Sequence, residues 1–218
     1  MIPPGPVRLA ILDFDGTLAD SFAWFCGVLN GVADRYGFRR VAAHEVASLR
    51  GLSARDILRR LEVAPWKVPL IARHMRALAA RDAAALTLFP GIPAMMARLH
   101  AGGIALAVVT SNREDTVRRV LGPALTGLVA HTACGAALFG KARKFRAVVR
   151  ASGVAPAQVL CLGDEIRDAQ AAAAAGLAFG AVAWGYTTPE ALSLARPAWL
   201  FETPEAVTAA LLARQTVG

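Results

Sequence analysis

The sequence predicts an α/β fold, with a doubly wound, parallel-sheet (Rossmann-like) core and an inserted α-helical domain. Over most of the chain, short apolar segments of strand length alternate with segments of helical periodicity, which is the pattern of repeated βα units. Between residues 18 and 89 the periodicity is helical only, which indicates an insertion. The 218 residues are enough for one such core with a smaller inserted domain.

The first predicted strand, residues 7–12 (VRLAIL), is a short apolar run that ends at an acidic cluster. Such a run is typical of a strand buried on both faces of a parallel sheet. Further strands are predicted at residues 104–109, 127–131, 159–162 and 180–183.

Helices are predicted between these strands at residues 93–100, 114–121 and 142–151, each followed by glycine as an expected C-terminal cap. The insertion predicts helices at 22–36, 44–49, 54–61 and 68–85, and Pro90-Gly91 marks the return to the core. The domains are therefore expected at 1–18 and 89–218 for the core and at 19–88 for the helical cap. The tail predicts an extended piece at 198–201 and a helix from Pro204.

Composition excludes several classes of protein. The net charge is +8, but 21 of the 24 basic residues are Arg scattered along the chain, so a nucleic-acid partner is not expected. No apolar run is long enough to span a membrane or to act as a secretory signal, which predicts a cytoplasmic protein. Cys26, Cys134 and Cys161 lack metal-type spacing and are expected to be buried free thiols. The expected oligomeric state is a monomer or a homodimer.

Polar residues follow three of the predicted strands. Asp13 and Asp15, with Gly16, follow the first strand, Thr110-Ser111-Asn112 follow the second, and Asp164 and Asp168 follow the fourth. Taken alone, the first pair could simply form a turn that caps the next helix. However, open α/β sheets bind ligands at the carboxyl ends of their strands, so these groups are expected to form one site.

Several carboxylates meeting at one sheet edge repel one another unless a hard cation joins them, and oxygen ligands suit Mg²⁺. A carboxylate beside that ion could attack a phosphoryl group, while Thr110 held the phosphate oxygens and Lys141 neutralised the developing charge. Asp15 could protonate the departing alkoxide if negative neighbours raised its pKa.

The segments DFDGTLADS, VVTSN and GDEIRD, with a lysine between the last two, resemble the haloacid dehalogenase superfamily of phosphohydrolases over essentially the whole chain. The helical cap after the first motif is similar to that of the phosphoglycolate phosphatase and β-phosphoglucomutase branch. The resemblance implies that Asp13 is the nucleophile and Asp15 the general acid/base. Thr110 and Lys141 would bind the phosphoryl group. Mg²⁺ would be held by Asp13, the backbone carbonyl of Asp15 and Asp164, with Asp168 as an outer partner.

Gly16, Ser111, Asn112 and, in the cap, Arg55 are the remaining candidate substrate-binding residues. Some assignments stay open at this point. Lys144 is a rival to Lys141, Glu165 is either a metal ligand or a helix N-terminal acid, and Arg55 is either a substrate clamp or a solvated residue. Residues 184–186 (WGY) either line the site or pack.

The predicted function is Mg²⁺-dependent hydrolysis of a small phosphorylated metabolite, a phosphomonoester such as phosphoglycolate, through an aspartyl-phosphate. A phosphomutase of the β-phosphoglucomutase type would use the same intermediate. A non-enzymatic phosphoacceptor or binding module is the alternative from another class, but receiver domains lack a helical insertion of this size. A dehalogenase is disfavoured because its reaction has no alkoxide for Asp15 to protonate.

Overall fold

A parallel six-stranded sheet forms the centre of the protein, in a computed structural model that describes residues 5–135 and 140–215. The described residues form eight strands, of which β2 and β3 lie outside this sheet. They are β1 (Leu9–Leu12), β2 (Ala19–Asp20), β3 (Thr87–Leu88), β4 (Ala105–Val109), β5 (Val129–Ala133), β6 (Val159–Gly163), β7 (Ala178–Val182) and β8 (Trp199–Phe201). The sheet order is β5-β4-β1-β6-β7-β8, and every neighbouring pair is parallel. The predicted Rossmann-like α/β fold is confirmed.

Ten α-helices connect and cover these strands in the part of the chain that the structure describes. They are α1 (Phe22–Tyr36), α2 (Val46–Leu49), α3 (Ala54–Arg60), α4 (Val68–Arg81), α5 (Ile92–Ala101), α6 (Glu114–Thr126), α7 (Lys141–Ser152), α8 (Ile166–Ala175), α9 (Pro189–Leu194) and α10 (Pro204–Ala213). None of the described helices combines the length and the apolar character needed to cross a bilayer.

The sheet is covered by helices on both faces, which explains why β1 is apolar throughout. Ala10 and Leu12 belong to one core cluster, which includes residues of α5, α6 and α10. Leu9 and Ile11 belong to the other, with residues of α7, α8 and α9. Because successive side chains of a strand point to opposite faces, a strand between two helical layers must be apolar at every position.

The direction of chain winding reverses at β1, which pairs with β4 on one side and with β6 on the other. Leu9 aligns with Ala105 of β4 and with Val159 of β6. The crevice at the carboxyl ends of the strands on either side of such a reversal is the place where open α/β sheets bind ligands. All three polar segments identified in the sequence follow these strands.

The helices α1 to α4 lie between the first and second strands of the main sheet, as predicted. They share a small apolar core formed by Val41, Leu49, Leu61 and Val63. The helix α1 ends at Gly37, whose φ of 61° is the left-handed conformation that glycine adopts readily.

The prediction of no strand between residues 18 and 89 is wrong. The two-residue strands β2 and β3 pair antiparallel at the base of the insertion, with Ala19 opposite Leu88. Two residues are too few to show an alternating pattern, so these strands leave no signal in the sequence. The boundaries of a separate cap domain at 19–88 stay a prediction.

Other differences lie at helix ends and in alanine-rich segments. Gly122, with φ 71°, kinks α6 before Pro123, where the sequence predicted that the helix would end. No bounds were predicted for α8, although Glu165 was considered as an acid at a helix N-terminus, and α9 was not predicted. Cys161 is buried, but Cys26 and Cys134 are only half-buried, so the expectation of three buried thiols is wrong for two of them.

Candidate active site

Asp13 is the first residue after β1, at the point where the chain winding reverses. Its side chain is buried, and its Oδ1 accepts a hydrogen bond of 2.7 Å from the backbone N–H of Phe14. Its Oδ2 lies 2.5 Å from the Lys141 ammonium nitrogen. The backbone N–H of Asp13 donates to Leu162 of β6, which fixes the residue to the sheet edge.

Lys141 is the first residue of α7, and its ammonium group bridges two carboxylates. It lies 2.6 Å from Asp168 Oδ1 as well as 2.5 Å from Asp13 Oδ2. Burial lowers the pKa of Lys141, but attraction to Asp13 and Asp168 outweighs burial and raises it above its usual range. Lys144, the rival candidate, instead donates to the backbone carbonyl of Cys134. Of the two lysines, the structure brings only Lys141 to the carboxylates.

Asp13, Asp164 and Asp168 each offer a carboxylate oxygen within 4.8 Å of the others, and all three are buried. Asp164 Oδ1 accepts from the Thr17 hydroxyl at 2.8 Å and its Oδ2 accepts from the Tyr186 backbone N–H at 2.8 Å. Such outer hydrogen bonds hold metal-ligating carboxylates in a fixed orientation.

The charge of this cluster fits a hard divalent cation. The three carboxylates carry two more charges than the ammonium group of Lys141 balances, and the nearby Arg167 is paired with Glu165. Burial raises the pKa of Asp13 to about 7, against the opposing effect of Lys141. Burial, with repulsion from Glu165 and Asp13, raises the pKa of Asp164 well above its usual range. Buried carboxylates with raised pKa values stay ionised more readily when a cation binds between them. Because all the ligand atoms are oxygens, Mg²⁺ is a suitable cation.

The Asp15 side chain lies apart from the three clustered carboxylates. Its Oδ1 accepts from the Ser21 hydroxyl at 3.0 Å, and both of its oxygens accept from the Asn112 amide at 3.3 and 3.1 Å. Burial raises the pKa of Asp15, while Ser21 and Arg167 oppose the shift. A carboxyl group with a raised pKa is suited to donating a proton near neutral pH.

The segment after β4 carries three polar side chains, those of Thr110, Ser111 and Asn112. Thr110 is fully buried, and its hydroxyl oxygen accepts from the backbone N–H of Asn112 at 3.0 Å, which leaves the hydroxyl hydrogen as a donor. Ser111 and Asn112 line a cavity shared with Asp15. The structure therefore brings Asn112 into contact with Asp15 and places Ser111 in the same cavity.

Gly16 has a structural reason to be glycine. Its φ is 73°, and a Cβ at this position would overlap the Asp164 carboxylate. Its backbone N–H donates to the carbonyl of Ala19 at 2.9 Å. The absence of a side chain therefore lets the first motif and Asp164 approach closely.

Glu165 and Arg167 form an ion pair of 2.6 Å beside the carboxylates. The backbone N–H of Glu165, which precedes α8, donates to Asp168 Oδ2 at 3.2 Å. Attraction to Glu165, Asp168 and Asp13 outweighs burial and raises the pKa of Arg167. Glu165 is thus at the helix N-terminus and paired with Arg167, outside the group of three carboxylates.

Arg50, a cap residue that the sequence analysis did not select, contacts the loop after β7. Its Nε donates to the carbonyl of Tyr186 and its Nη2 to that of Gly185, each at 2.8 Å. Arg55 is exposed on α3 and is not among the residues that line the cavity, so its contact with substrate stays a prediction.

The loop after β7 resolves the open question about residues 184–186. Tyr186 lines the cavity and its hydroxyl lies 2.9 Å from the Ser21 hydroxyl, whereas Trp184 packs and donates to the Thr17 carbonyl at 3.0 Å. Sequence reasoning gave no role to Thr17, Ser21 or Arg167, although all three lie within the quoted motifs. Tyr186 was considered because its segment follows the last strand of the core, with packing as the alternative.

Comparison with known proteins agrees with this geometry. The family model described as haloacid dehalogenase-like hydrolase matches residues 10–182. The phosphoglycolate phosphatase of Synechococcus elongatus is 33% identical over 192 residues, which cover 88% of this chain and 91% of that protein. Tyrosine-protein kinase PtkA of Mycobacterium tuberculosis is 32% identical over 190 residues, covering 82% of this chain and 63% of the kinase. A crystal structure of a predicted phosphatase from Clostridium acetobutylicum shares the fold, with a TM-score of 0.79 at 16% identity, covering 95% of this chain and 99% of that one.

A parallel α/β core with a helical insertion and a buried carboxylate–lysine centre defines this protein as a Rossmann-like hydrolase. The chain belongs to the haloacid dehalogenase-like hydrolase family. Within that family its sequence is phosphoglycolate phosphatase-like, as the motifs predicted.

Proposed function

We propose that the protein is a Mg²⁺-dependent phosphatase that hydrolyses a small phosphomonoester through an aspartyl-phosphate on Asp13. The observation that carries the proposal is that the buried Asp13 carboxylate pairs with Lys141 and lies within 4.8 Å of two further carboxylates that follow β6. The name of the Synechococcus elongatus relative suggests phosphoglycolate as the first substrate to test.

In the first step, a carboxylate oxygen of Asp13 bonds to phosphorus while the bond from phosphorus to the ester oxygen breaks. Asp15 gives its proton to the departing alkoxide, which leaves as an alcohol. Lys141 balances the negative charge on Asp13 and on the transferring group, and the Thr110 hydroxyl donates to a phosphoryl oxygen.

In the second step, Asp15 takes a proton from water as the water oxygen bonds to phosphorus. The bond between phosphorus and Asp13 breaks, which releases inorganic phosphate and restores both carboxyl groups. A phosphomutase would share the first step and then transfer the phosphoryl group to a second sugar phosphate instead of water.

Asp13, Asp164 and the backbone carbonyl of Asp15 would hold Mg²⁺, with Asp168 as an outer partner. When bound, Mg²⁺ supplies positive charge that brings the phosphate and the Asp13 carboxylate together. The excess of negative charge among the three carboxylates over the Lys141 ammonium group supports this assignment.

The test is Asp13→Asn, measured by release of phosphate from an aryl phosphate with Mg²⁺ present. Asparagine keeps the shape of the side chain but is a poor nucleophile, so we expect turnover to fall at least about 10³-fold. Asp20→Asn is the matched control, since Asp20 is an exposed acid in the same motif. Near wild-type turnover in Asp13→Asn, with circular dichroism unchanged, would refute the assigned nucleophile.

A cytoplasmic location and a small phosphorylated metabolite as the only partner are part of the same proposal. They are supported by the free cysteines among the described residues and by the scattered arrangement of the arginines. The oligomeric state, a monomer or a homodimer, stays a prediction that size-exclusion chromatography tests.

A further inference from the structure

A cavity of about 300 Å³ is shared by the catalytic edge of the sheet and the interior of the helical insertion. Its polar end is formed by Asp15, Ser111, Asn112 and the loop residues Tyr186 and Thr187. Because Asp15 is the proposed proton donor to the leaving group, the organic part of a substrate would extend from this end into the cavity.

The rest of the cavity is almost entirely apolar. Phe22 and Phe25 of α1 lie beside Tyr186, with ring centroids 5.1 and 5.6 Å from its own. Farther into the insertion, Leu52, Ile57 and Ile71 line the cavity and are only half-buried, although they pack against the apolar core of the insertion. When an apolar ligand displaces water from such a surface, the free energy of the system falls, and this favours binding.

The cationic side chains of the lining are mostly engaged with the protein itself. Arg50 donates to two backbone carbonyls and lies over the Phe22 ring, 4.8 Å from its centroid. Arg167 is paired with Glu165. Arg76 of α4 is the one lining cation without an ion pair or a side-chain hydrogen bond among the described residues.

We propose that the organic group of the substrate is apolar, an alkyl chain or an aromatic ring, and that it occupies this cavity. The inference rests on the proposed phosphatase activity and narrows its substrate class. Most of the lining is aliphatic or aromatic, and Arg50 and Arg167 are already engaged with the protein, so away from Arg76 the lost hydration of a carboxylate in this cavity is not replaced.

The size of the cavity fits such a group. An apolar cavity of about 150 Å³ holds one benzene molecule, so this one has room for roughly two rings or a chain of six to eight carbons. The organic part of phosphoglycolate has only two carbons and would leave most of the cavity hydrated.

The first experiment measures kcat and KM for a series of n-alkyl phosphates from methyl to decyl, together with phosphoglycolate. We expect KM to fall about fourfold for each added methylene until the chain fills the cavity, because each buried methylene contributes a roughly constant transfer free energy. A KM independent of chain length, or phosphoglycolate as the best substrate by kcat/KM, would overturn the proposal.

Two substitutions on α4 locate the effect. Ala72 lines the cavity, whereas Ala77 is exposed on the same helix. We expect Ala72→Leu to raise KM for octyl phosphate more than about 10-fold and to leave methyl phosphate unchanged, with Ala77→Leu like the wild type. An equal effect of both substitutions, or none from Ala72→Leu, counts against the cavity as the binding site.

Arg76 provides the opposing test. If the cavity takes a carboxylate, Arg76→Ala raises KM for phosphoglycolate and not for octyl phosphate, while Arg73→Ala, an exposed neighbour on α4, has no effect. That result would overturn the proposal. We expect Arg76→Ala to leave the order of preference among alkyl phosphates unchanged.

Calorimetry separates failure of this inference from failure of the proposed function. Titration with octyl and methyl phosphonate, which are not hydrolysed, should show tighter binding and a more negative heat-capacity change for octyl phosphonate. If no phosphate ester is hydrolysed but this difference is found, the proposed phosphatase activity is wrong and the proposed apolar binding site is supported. If both phosphonates bind equally tightly, the proposal that the cavity binds an apolar group is wrong, whether or not the protein is a phosphatase.

Discussion

Lys141 connects the proposed nucleophile to a second strand end. Its contacts with Asp13 and Asp168 join residues that follow β1 and β6, so one ammonium group sets the separation of two carboxylates. A buried charge without a partner is costly, and this arrangement satisfies the lysine from both sides.

We therefore expect Lys141→Met to reduce turnover of an aryl phosphate by at least about 10²-fold, since it removes charge where the transferring group becomes negative. Lys144→Met is the matched control, and it should stay within about twofold of the wild type because Lys144 donates to the backbone carbonyl of Cys134, just after β5. Circular dichroism checks that both variants fold, and Lys141→Arg tests whether charge alone restores activity. The reverse pattern, with Lys144→Met inactive, would reassign the lysine.

The raised pKa of Asp13 makes a prediction about stability without metal. Between the usual unfolded value of about 3.9 and the folded value of about 7, the native state binds more protons than the unfolded state. The free energy of unfolding contributed by this group therefore falls as pH rises through that window.

In EDTA, we expect Asp13→Asn to be more stable than the wild type at pH 8, by more than about 1 kcal/mol, and the difference to vanish near pH 4. Urea denaturation at a series of pH values measures this. Asp20→Asn, at an exposed position, should follow the wild-type curve. A difference between Asp13→Asn and the wild type that is constant with pH would contradict the assigned pKa.

At the scale of elements, Arg50 connects the helical insertion to the loop after β7. Besides the two bonds from its guanidinium group, its carbonyl accepts from the Thr188 backbone N–H at 3.1 Å. The same loop presents the Tyr186 N–H to Asp164. One cap residue thus supports the loop that orients a carboxylate of the site.

Arg50→Ala should raise KM and lower kcat for an aryl phosphate, together by about 10-fold or more in kcat/KM, because both the cap and the loop lose a fixed position. Arg59→Ala, on the exposed surface of α3, serves as the control. Arg55→Ala measured alongside tests the sequence-based prediction directly. If Arg55→Ala is impaired and Arg50→Ala is not, the substrate clamp lies on α3 as the sequence suggested.

At the scale of the whole molecule, metal binding to the strand ends should stabilise the fold. The carboxylates belong to segments that follow two different strands, so an ion that binds them in the native state only shifts unfolding by mass action. A ligand at 100 times its Kd adds about 2.7 kcal/mol to the free energy of unfolding, which raises Tm by roughly 5–10 °C for a domain of this size.

We expect Mg²⁺ to raise Tm by this amount over EDTA in differential scanning calorimetry, and Asp164→Asn to lose most of the shift. KCl at matched ionic strength controls for screening of the net charge of +8. A shift that is equal in KCl and MgCl₂ would contradict a specific metal site.

The strands and the strand-end residues were predictable because their signals are local. Residues 9–12 and 159–162 are apolar at every position, and a run of this kind followed by acidic residues has few other interpretations. Asp13, Asp15, Thr110 and Asp164 follow such runs directly, so a parallel sheet brings them together whatever the loops do. The two-residue strands β2 and β3 are too short to carry a periodic signal, and they were missed.

The amino-acid sequence by itself determined the α/β class, the order of its strands and helices, and the residue types that meet at the strand ends, because these depend on apolar periodicity and on parallel pairing. Only the tertiary structure decided which lysine meets Asp13, that Arg50 contacts the loop after β7, and that an apolar cavity opens beside Asp15. These features depend on side chains far apart in the chain, and no pattern along the sequence encodes the direction in which a helix of the insertion presents them.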